Sequence, residues 1–273
     1  MKLSYPVAVP DSGIKMMAWC NEYEMAFKQL KEIGYEGIEL LIRDPQTVNI
    51  KLLDQLLDEN GLVIAAIGTT PMQTKDGLFL MHEEKHIRAE AYKRLEQLVG
   101  LAAHYQTAVL IGKYRGMTGD SYHTSLPYFQ EILIKSCENA LTQGVSLYVE
   151  PQSSGNINNI NSIAQALECL NLCSCSNLKI LADIYHMSIT EKDIGQAIKS
   201  MGNALGMIHM SDSDRLIPGD GSIMLREVME VLSCIYFQGF VSMEIKQEPD
   251  SKTAAVKSLE YLIREMKERG VWQ

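Results

Sequence analysis

Short apolar segments alternate with longer amphipathic segments along the whole chain. The apolar segments predict eight strands, at residues 3–9, 37–41, 63–68, 108–111, 146–150, 179–183, 206–209 and 241–245. The longer segments place apolar residues three and four positions apart, which puts them on one helical face. They predict eight helices, at residues 22–33, 50–60, 84–104, 125–142, 162–172, 193–200, 225–235 and 253–267.

The regular order of strand and helix predicts an α/β fold, a (β/α)8 TIM barrel in one domain over residues 1–273. An open, doubly wound sheet is the alternative, and it usually carries a glycine-rich nucleotide loop after its first strand. The sequence there reads PDSGIKMM, which is not that motif. No linker rich in Ser, Gly or Pro divides the chain. The closed barrel is therefore the predicted architecture.

Composition and net charge limit the kinds of partner that the protein is expected to bind and the cellular compartment in which we expect it. Of the 273 residues, 46% are hydrophobic and 22% are charged, which suits a sizeable core and a solvated surface. The net charge of −9 disfavours nucleic acid and anionic membranes as partners. The N-terminal residues do not form a signal peptide, and no segment approaches the roughly 20 apolar residues of a membrane span. We expect a cytoplasmic protein whose six cysteines are free thiols.

Four ionisable residues stand at the ends of four consecutive predicted strands. Glu150 ends the fifth strand, Asp183 the sixth and His209 the seventh, and Glu244 lies near the end of the eighth. The carboxyl ends of barrel strands converge on one face, where active sites form. Two Glu, one Asp and one His are therefore expected to share one mouth.

A divalent cation would remove the repulsion among three crowded carboxylates. Oxygen ligands with one imidazole suit Mn²⁺ best, with Mg²⁺, Co²⁺ or Fe²⁺ as alternatives and Zn²⁺ less suited. Any one of these residues could instead be a strand-end polar group satisfied by a neighbouring loop. Four in succession favour the metal site, because buried charges are rarely left unpaired.

Two further residues are expected near this mouth. His186 follows Asp183 by three positions, and Arg215 follows His209 by six, in HMSDSDRLIPGDG. Either side chain could bind a substrate hydroxyl or carboxylate group.

These motifs resemble the xylose isomerase-like barrel superfamily of sugar isomerases and epimerases. The resemblance covers essentially the whole chain and is carried by the ordered set IGYEGIEL, VEP, ADIYHM, IHMSDSDR, PGDG and SMEI. The segments LLIRDP, AAIGTT, DGLFLMH and IGKYRG are similar to the 5-keto-L-gluconate epimerases of that group. Ketose 3-epimerases belong to the same group.

The resemblance implies roles for the site residues. Glu150, Asp183, His209 and Glu244 would hold the metal, with Glu150 and Glu244 also catalytic. His186 and Arg215 would contact the substrate, a sugar or sugar acid.

Three more residues are candidates on the substrate side. Glu39 would stand near the mouth as a supporting group. Arg115 could pair with a substrate carboxylate, and Trp19 could stack on the sugar. The related barrels also suggest a homodimer or a homotetramer.

One segment departs from the family pattern. The fifth strand usually continues as Glu-Pro-Leu-Asn-Arg-Tyr-Glu, whereas this chain continues from Glu150 as EPQSSGN. The second Glu, a substrate-side contact in epimerases, is replaced by Asn156. This change leaves the substrate open.

The predicted chemistry is epimerisation of a carbon beside a ketone, with two glutamates exchanging protons on opposite faces of an enediolate. Aldose–ketose isomerisation and an inosose dehydratase-type lyase reaction are alternatives on the same site. A non-catalytic barrel that binds sugar or metal is an alternative of another class. A three-metal DNA-repair endonuclease is disfavoured, because strands two to four offer no histidine at a strand end.

Overall fold

A computed structural model describes residues 1–20 and 22–268. Within them, eight parallel strands close into a barrel in chain order, and β1 pairs with β8. The strands are β1 (Lys2–Ala8), β2 (Gly37–Leu41), β3 (Val63–Gly68), β4 (Ala108–Ile111), β5 (Ser146–Val149), β6 (Leu178–Asp183), β7 (Leu205–Met210) and β8 (Phe240–Met243). This architecture confirms the predicted (β/α)8 barrel and excludes the open sheet.

The described residues also form ten α-helices, which are α1 (Tyr23–Ile33), α2 (Ile50–Asn60), α3 (Thr70–Asp76), α4 (Lys85–His104), α5 (Leu126–Thr142), α6 (Ile163–Cys173), α7 (Ile184–Thr190), α8 (Ile194–Met201), α9 (Leu225–Cys234) and α10 (Ser251–Glu268). Every predicted helix is present, with ends within two residues of the prediction. Two short helices, α3 and α7, were not predicted. None of the described helices has the length and hydropathy needed to cross a membrane.

Helix starts follow from polar residues placed just before each amphipathic segment. The side chains of four such residues accept a hydrogen bond from a backbone N–H of the first turn: Asn49, Ser125, Ser162 and Asp193. Gly34 and Gly61 end α1 and α2 in the left-handed conformation. These local signals set where each helix begins and ends around the barrel.

The buried residues form an outer and an inner layer. The larger apolar cluster packs the helices against the strands, with Phe27, Leu30 and Leu95 among its fully buried members. A smaller cluster includes Leu181 and Met207, which precede Asp183 and His209 by two positions. Because side chains alternate along a strand, all of them point the same way, into the barrel. The apolar inner layer thus lies beneath the polar residues at the strand ends.

The short helix α3 is fixed at the barrel mouth by its last residue. Asp76 accepts hydrogen bonds from Arg43 and Arg94, with Nη2–Oδ1 at 2.7 Å and Nη1–Oδ2 at 2.8 Å. Burial raises the pKa of Asp76, but the two guanidinium groups outweigh it and leave the pKa below its ordinary value. Arg94 also donates to the carbonyl of Arg43, so the three side chains act as one clamp.

Candidate metal centre and active site

The structure brings the four strand-end residues into one cluster. Glu150 directly follows β5, Asp183 ends β6, His209 lies in β7, and Glu244 directly follows β8. One ligand atom from each residue lies within 4.8 Å of the others. The first three are buried, and the Glu244 side chain is 22% exposed. The convergence follows from strand order, since these four strands are neighbours in the barrel.

The crowded carboxylates of the cluster favour a bound cation. Burial and the charges of Glu244 and Asp183 raise the pKa of Glu150 to about 8. Within the cluster, Glu150 Oε1 and His209 Nδ1 are buried and make no hydrogen bond to the described residues, and Glu244 Oε2 has only ion-pair contacts, with Arg215 Nη1 at 2.8 Å and His209 Nδ1 at 3.3 Å. Carboxylate oxygens and an imidazole nitrogen in this arrangement suit a divalent metal ion. The cluster could therefore hold such an ion.

Two of the four residues are oriented by contacts behind them. His209 Nε2 lies 2.9 Å from Glu39 Oε2, so Nδ1 faces the cluster. Asp183 caps α7, because its Oδ1 accepts the backbone N–H of His186 at 3.0 Å, and its Oδ2 faces the cluster. Glu39 is 2% exposed and contacts His209 instead of the cavity. We therefore correct the expectation that it lies on the substrate side.

Arg215 enters the cluster from the loop after β7. Its Nη1 lies 2.6 Å from Asp183 Oδ2 and 2.8 Å from Glu244 Oε2, and its guanidinium stacks on Tyr185 at 4.6 Å. Burial raises the pKa of Glu244, but Arg215 and His209 outweigh it and lower the pKa. The guanidinium thus supplies positive charge between the carboxylates and the cavity.

The loop that carries Arg215 is strained and is held by one buried carboxylate. Asp214 and Arg215 have φ values of 55° and 60°, a region that side chains rarely adopt. Asp212, 1% exposed, accepts the backbone N–H groups of Gly219 and Ile223, each at 2.9 Å. These bonds fold the loop back and aim Arg215 at the cluster.

His186 faces the same cavity from α7. Its Nδ1 lies 3.3 Å from the backbone nitrogen of Ser153, and its Nε2 lies 3.2 Å from Arg215 Nη2. Burial lowers the pKa of His186, so the ring is neutral at pH 7. Nε2 also lies 4.0 Å from Glu150 Oε1, which places the ring beside that carboxylate.

Glu150 is supported by a chain of hydrogen bonds that the sequence analysis did not predict. Gln152 Nε2 donates to Glu150 Oε2 at 2.6 Å, Asn156 Nδ2 donates to Gln152 Oε1 at 2.6 Å, and Lys113 Nζ lies 3.4 Å from Asn156 Oδ1. A Cβ on Gly112 would lie 2.5 Å from Glu150 Oε2, so glycine leaves the room that the carboxylate needs. The only signal in the sequence was the departure from the family pattern at 152–156.

Two residues expected on the substrate side lie in the protein interior instead. Arg115 is 0% exposed, and its guanidinium donates to Asn159 Oδ1 and to backbone carbonyls, including those of Gly112 and Glu150. Trp19 is 4% exposed and packs edge-on against Tyr5 at 6.2 Å. Arg115 therefore supports the loop after β5 and Trp19 belongs to the core, which corrects both assignments.

A cavity of about 820 Å³ opens at the carboxyl ends of the strands. Glu244, His186 and Arg215 line its inner part, and the 13–17 loop and α3 line the part across the mouth. The volume falls in the range of small-molecule sites. The candidate metal centre thus has a compartment for a substrate directly beside it.

Comparison with known proteins identifies the family. The family model described as Xylose isomerase-like TIM barrel matches residues 27–265. A D-psicose 3-epimerase of Ruminiclostridium cellulolyticum is 35% identical over 252 residues, covering 85% of this chain and 82% of the relative. An L-ribulose 3-epimerase of Mesorhizobium japonicum is 26% identical over 266 residues, covering 90% and 87%.

Solved structures agree on the fold. The crystal structure of a D-allulose 3-epimerase from Methylomonas sp. in complex with D-allulose superposes with a TM-score of 0.80. The sequence identity there is 20%, and the match covers 97% of each chain. The chain therefore belongs to the Xylose isomerase-like TIM barrel family, as an enzyme of the isomerase class.

Proposed function

We propose that the protein is a metal-dependent epimerase of a keto-sugar or keto-sugar acid. The observation that carries this proposal is the cluster of Glu150, Asp183, His209 and Glu244, whose ligand atoms converge beside a cavity of about 820 Å³. Its relatives include epimerases of L-ribulose and D-psicose, which supports a ketose as the substrate class.

The four cluster residues would hold one divalent cation, with Mn²⁺ the best match to their oxygen and nitrogen donors. Such an ion would act as a Lewis acid and stabilise negative charge that develops on substrate oxygens. Zn²⁺ prefers a donor set richer in sulfur and nitrogen, which this cluster does not offer.

Glu150 and Glu244 would move the protons. Epimerisation beside a ketone removes a proton from one face of a carbon and returns one to the other face, through an enediolate. Glu150 Oε1 has no hydrogen-bond partner among the described residues, Glu244 Oε2 is paired with Arg215, and the two carboxylates approach the cluster from strands β5 and β8. The direction of the reaction decides which of them acts first as the base.

His186 and Arg215 would bind the substrate oxygens. The His186 ring lines the cavity 4.0 Å from Glu150 Oε1, so it would contact a substrate oxygen near the reacting carbon. Arg215 is paired with Asp183 and Glu244 through Nη1, and it lines the cavity, where its guanidinium would bind a hydroxyl or a carboxylate.

The test follows hydrogen exchange in D₂O by NMR. Metal-stripped protein reloaded with Mn²⁺ would be given a panel of ketoses and keto-sugar acids. Metal-dependent deuterium uptake beside the ketone with inverted configuration is the expected result. Uptake without inversion would replace epimerase by aldose–ketose isomerase, and loss of water would replace it by a dehydratase.

Three variants make the test specific. Glu150→Gln and Glu244→Gln should each abolish exchange, because an amide cannot accept the proton. Glu138→Gln, an exposed glutamate on α5, is the matched control and should exchange like the wild type. Absence of exchange with the whole panel would favour the non-catalytic barrel.

A further inference from the structure

The cavity carries opposite charges at its two ends. Its inner end holds Glu244 above the buried carboxylates, whereas Lys15 and Lys75 line its outer part. Lys15 lies in the loop after β1, and Lys75 lies on α3. In a chain with a net charge of −9, two ammonium groups facing one cavity are a local reversal of the overall charge.

The Lys75 side chain lies against the backbone of Gly13, and both residues line the cavity. Gly13 has a φ of 65° and no side chain, and the Lys75 side chain fills the space beside it. A Cβ on Gly13 would lie 2.3 Å from Lys75 Cε and 3.1 Å from Nζ, so another residue there would displace the lysine. The next residue, Asp76, fixes the end of α3 through the clamp with Arg43 and Arg94.

A third ammonium group lies near the wall of the cavity. Lys113 Nζ is 3.4 Å from Oδ1 of Asn156, which lines the cavity from the loop after β5. Within the described residues, neither Lys15 nor Lys75 has a carboxylate within ion-pair distance. The charges of Lys15 and Lys75 are therefore not neutralised by ion pairs in the part of the chain that the structure describes.

The order of the strands in the barrel determines where α3 lies relative to the metal-ligand cluster. Strand β3, which leads into α3, stands across the ring from β7, which carries His209. A substrate whose reacting carbon lies at the cluster would extend across the mouth towards α3. Its far end would then approach Lys75 and the 13–17 loop, which contacts Lys75 at Gly13.

We propose that the substrate carries an anionic group, a carboxylate or a phosphate, at the end remote from the reacting carbon, and that Lys15 and Lys75 bind it. This inference rests on the proposed function for the sugar part of the substrate. The anionic group follows from the charge of the outer cavity alone. Flexible ammonium groups suit either anion as point charges.

The experiment compares three ketoses that differ only at C6. D-fructose is neutral, D-fructuronate carries a carboxylate at C6, and D-fructose 6-phosphate carries a phosphate there. Binding to the Mn²⁺-loaded full chain is measured by calorimetry at low and high salt. The variants are the double change Lys15→Gln with Lys75→Gln, and a control with Lys51→Gln and Lys257→Gln, which are exposed on α2 and α10.

The wild type should bind at least one of the two anions about tenfold more tightly than D-fructose, as expected for two partly exposed ion pairs. High salt should reduce this preference. The Lys15/Lys75 variant should lose the preference but keep its affinity for D-fructose. The Lys51/Lys257 control changes net charge equally and should keep the preference.

Equal binding of all three ketoses by the wild type would overturn the inference, and so would no measurable binding of either anion. A preference that survives in the Lys15/Lys75 variant would overturn it too. Proton exchange on D-fructose without any anion preference would leave the epimerase standing and remove this inference alone. An anion preference without proton exchange on any ketose would support this inference and count against the epimerase.

Discussion

Replacing Gln152 tests whether the chain from Lys113 to Glu150 matters for catalysis. Gln152→Leu removes the donor that lies 2.6 Å from Glu150 Oε2 and leaves a side chain of similar size. Leu is also the residue that the family pattern places at this position. The hydrogen bond is buried and ends on a carboxylate, so its removal should cost about 1.5–3 kcal/mol. Contacts that orient a metal ligand typically change activity or metal affinity by roughly 10- to 100-fold.

We therefore expect Gln152→Leu to lower kcat/KM by about 10- to 100-fold, with Mn²⁺ affinity measured in parallel. The assay is proton exchange in D₂O on the ketose that the wild type exchanges fastest. Gln152→Glu should be worse, because it places a carboxylate against Glu150. Wild-type kinetics in Gln152→Leu would refute the reasoning and show that Glu150 is held by its strand alone.

Asn158→Ala is the matched control for this experiment. Asn158 belongs to the same loop and bonds to Thr118, without a contact to Glu150. If Asn158→Ala lowers kcat/KM as much as Gln152→Leu, the effect comes from a looser loop and the proposed contact to Glu150 is not its cause.

Three further predictions address the supports of the site. Glu39→Gln should weaken Mn²⁺ binding by calorimetry about tenfold or more, because an amide no longer fixes the His209 ring as a carboxylate does; unchanged affinity would argue against this support. Gly112→Ala should lower kcat while the fold is kept by circular dichroism, because its Cβ would lie 2.5 Å from Glu150 Oε2; a normal kcat would mean that Glu150 can move at no cost. Asp76→Asn should cost about 1 kcal/mol in urea unfolding at pH 7, a value kept low because the ion pairs are partly exposed. The folded pKa of Asp76 is lowered, so its contribution is present above the unfolded pKa of about 3.9 and is lost as pH falls through the folded pKa; a wild-type-to-variant difference that stays constant from pH 6 to pH 3 would contradict this.

The barrel and its metal cluster were predictable because both depend on patterns local to each strand. An apolar run that ends in Glu150 or Asp183 marks a strand and a functional end together, and strand order brings those ends to one mouth. The fifth and eighth strands show the limit, because they end at Val149 and Met243 and leave Glu150 and Glu244 just beyond them. Those shifts do not move either residue out of the cluster.

Other features depend on contacts between distant segments, which no local pattern contains. Arg115 looked like a free cation in a loop, yet its partners lie up to 45 positions along the chain and bury it completely. Helix α3 is a single short segment whose position depends on Arg43 and Arg94 from two other elements. Gln152 was noticed only as a departure from a pattern, and its contact with Glu150 needed the folded loop.

Residues at the strand ends and residues on the loops have different roles in the site. The strand ends of β5 to β8 hold the groups that we propose for acid–base chemistry and metal binding, in positions that the barrel itself determines. The groups that would distinguish one keto-sugar from another stand on loops and short helices: Lys15 after β1, Lys75 on α3 and Asn156 after β5. Loops accept substitution far more readily than barrel strands do. A change of substrate within this family can therefore come from residues on these loops and short helices. The replacement of a glutamate by Asn156 beside Lys113 is a change of that kind, since it removes a negative charge from the wall of the cavity.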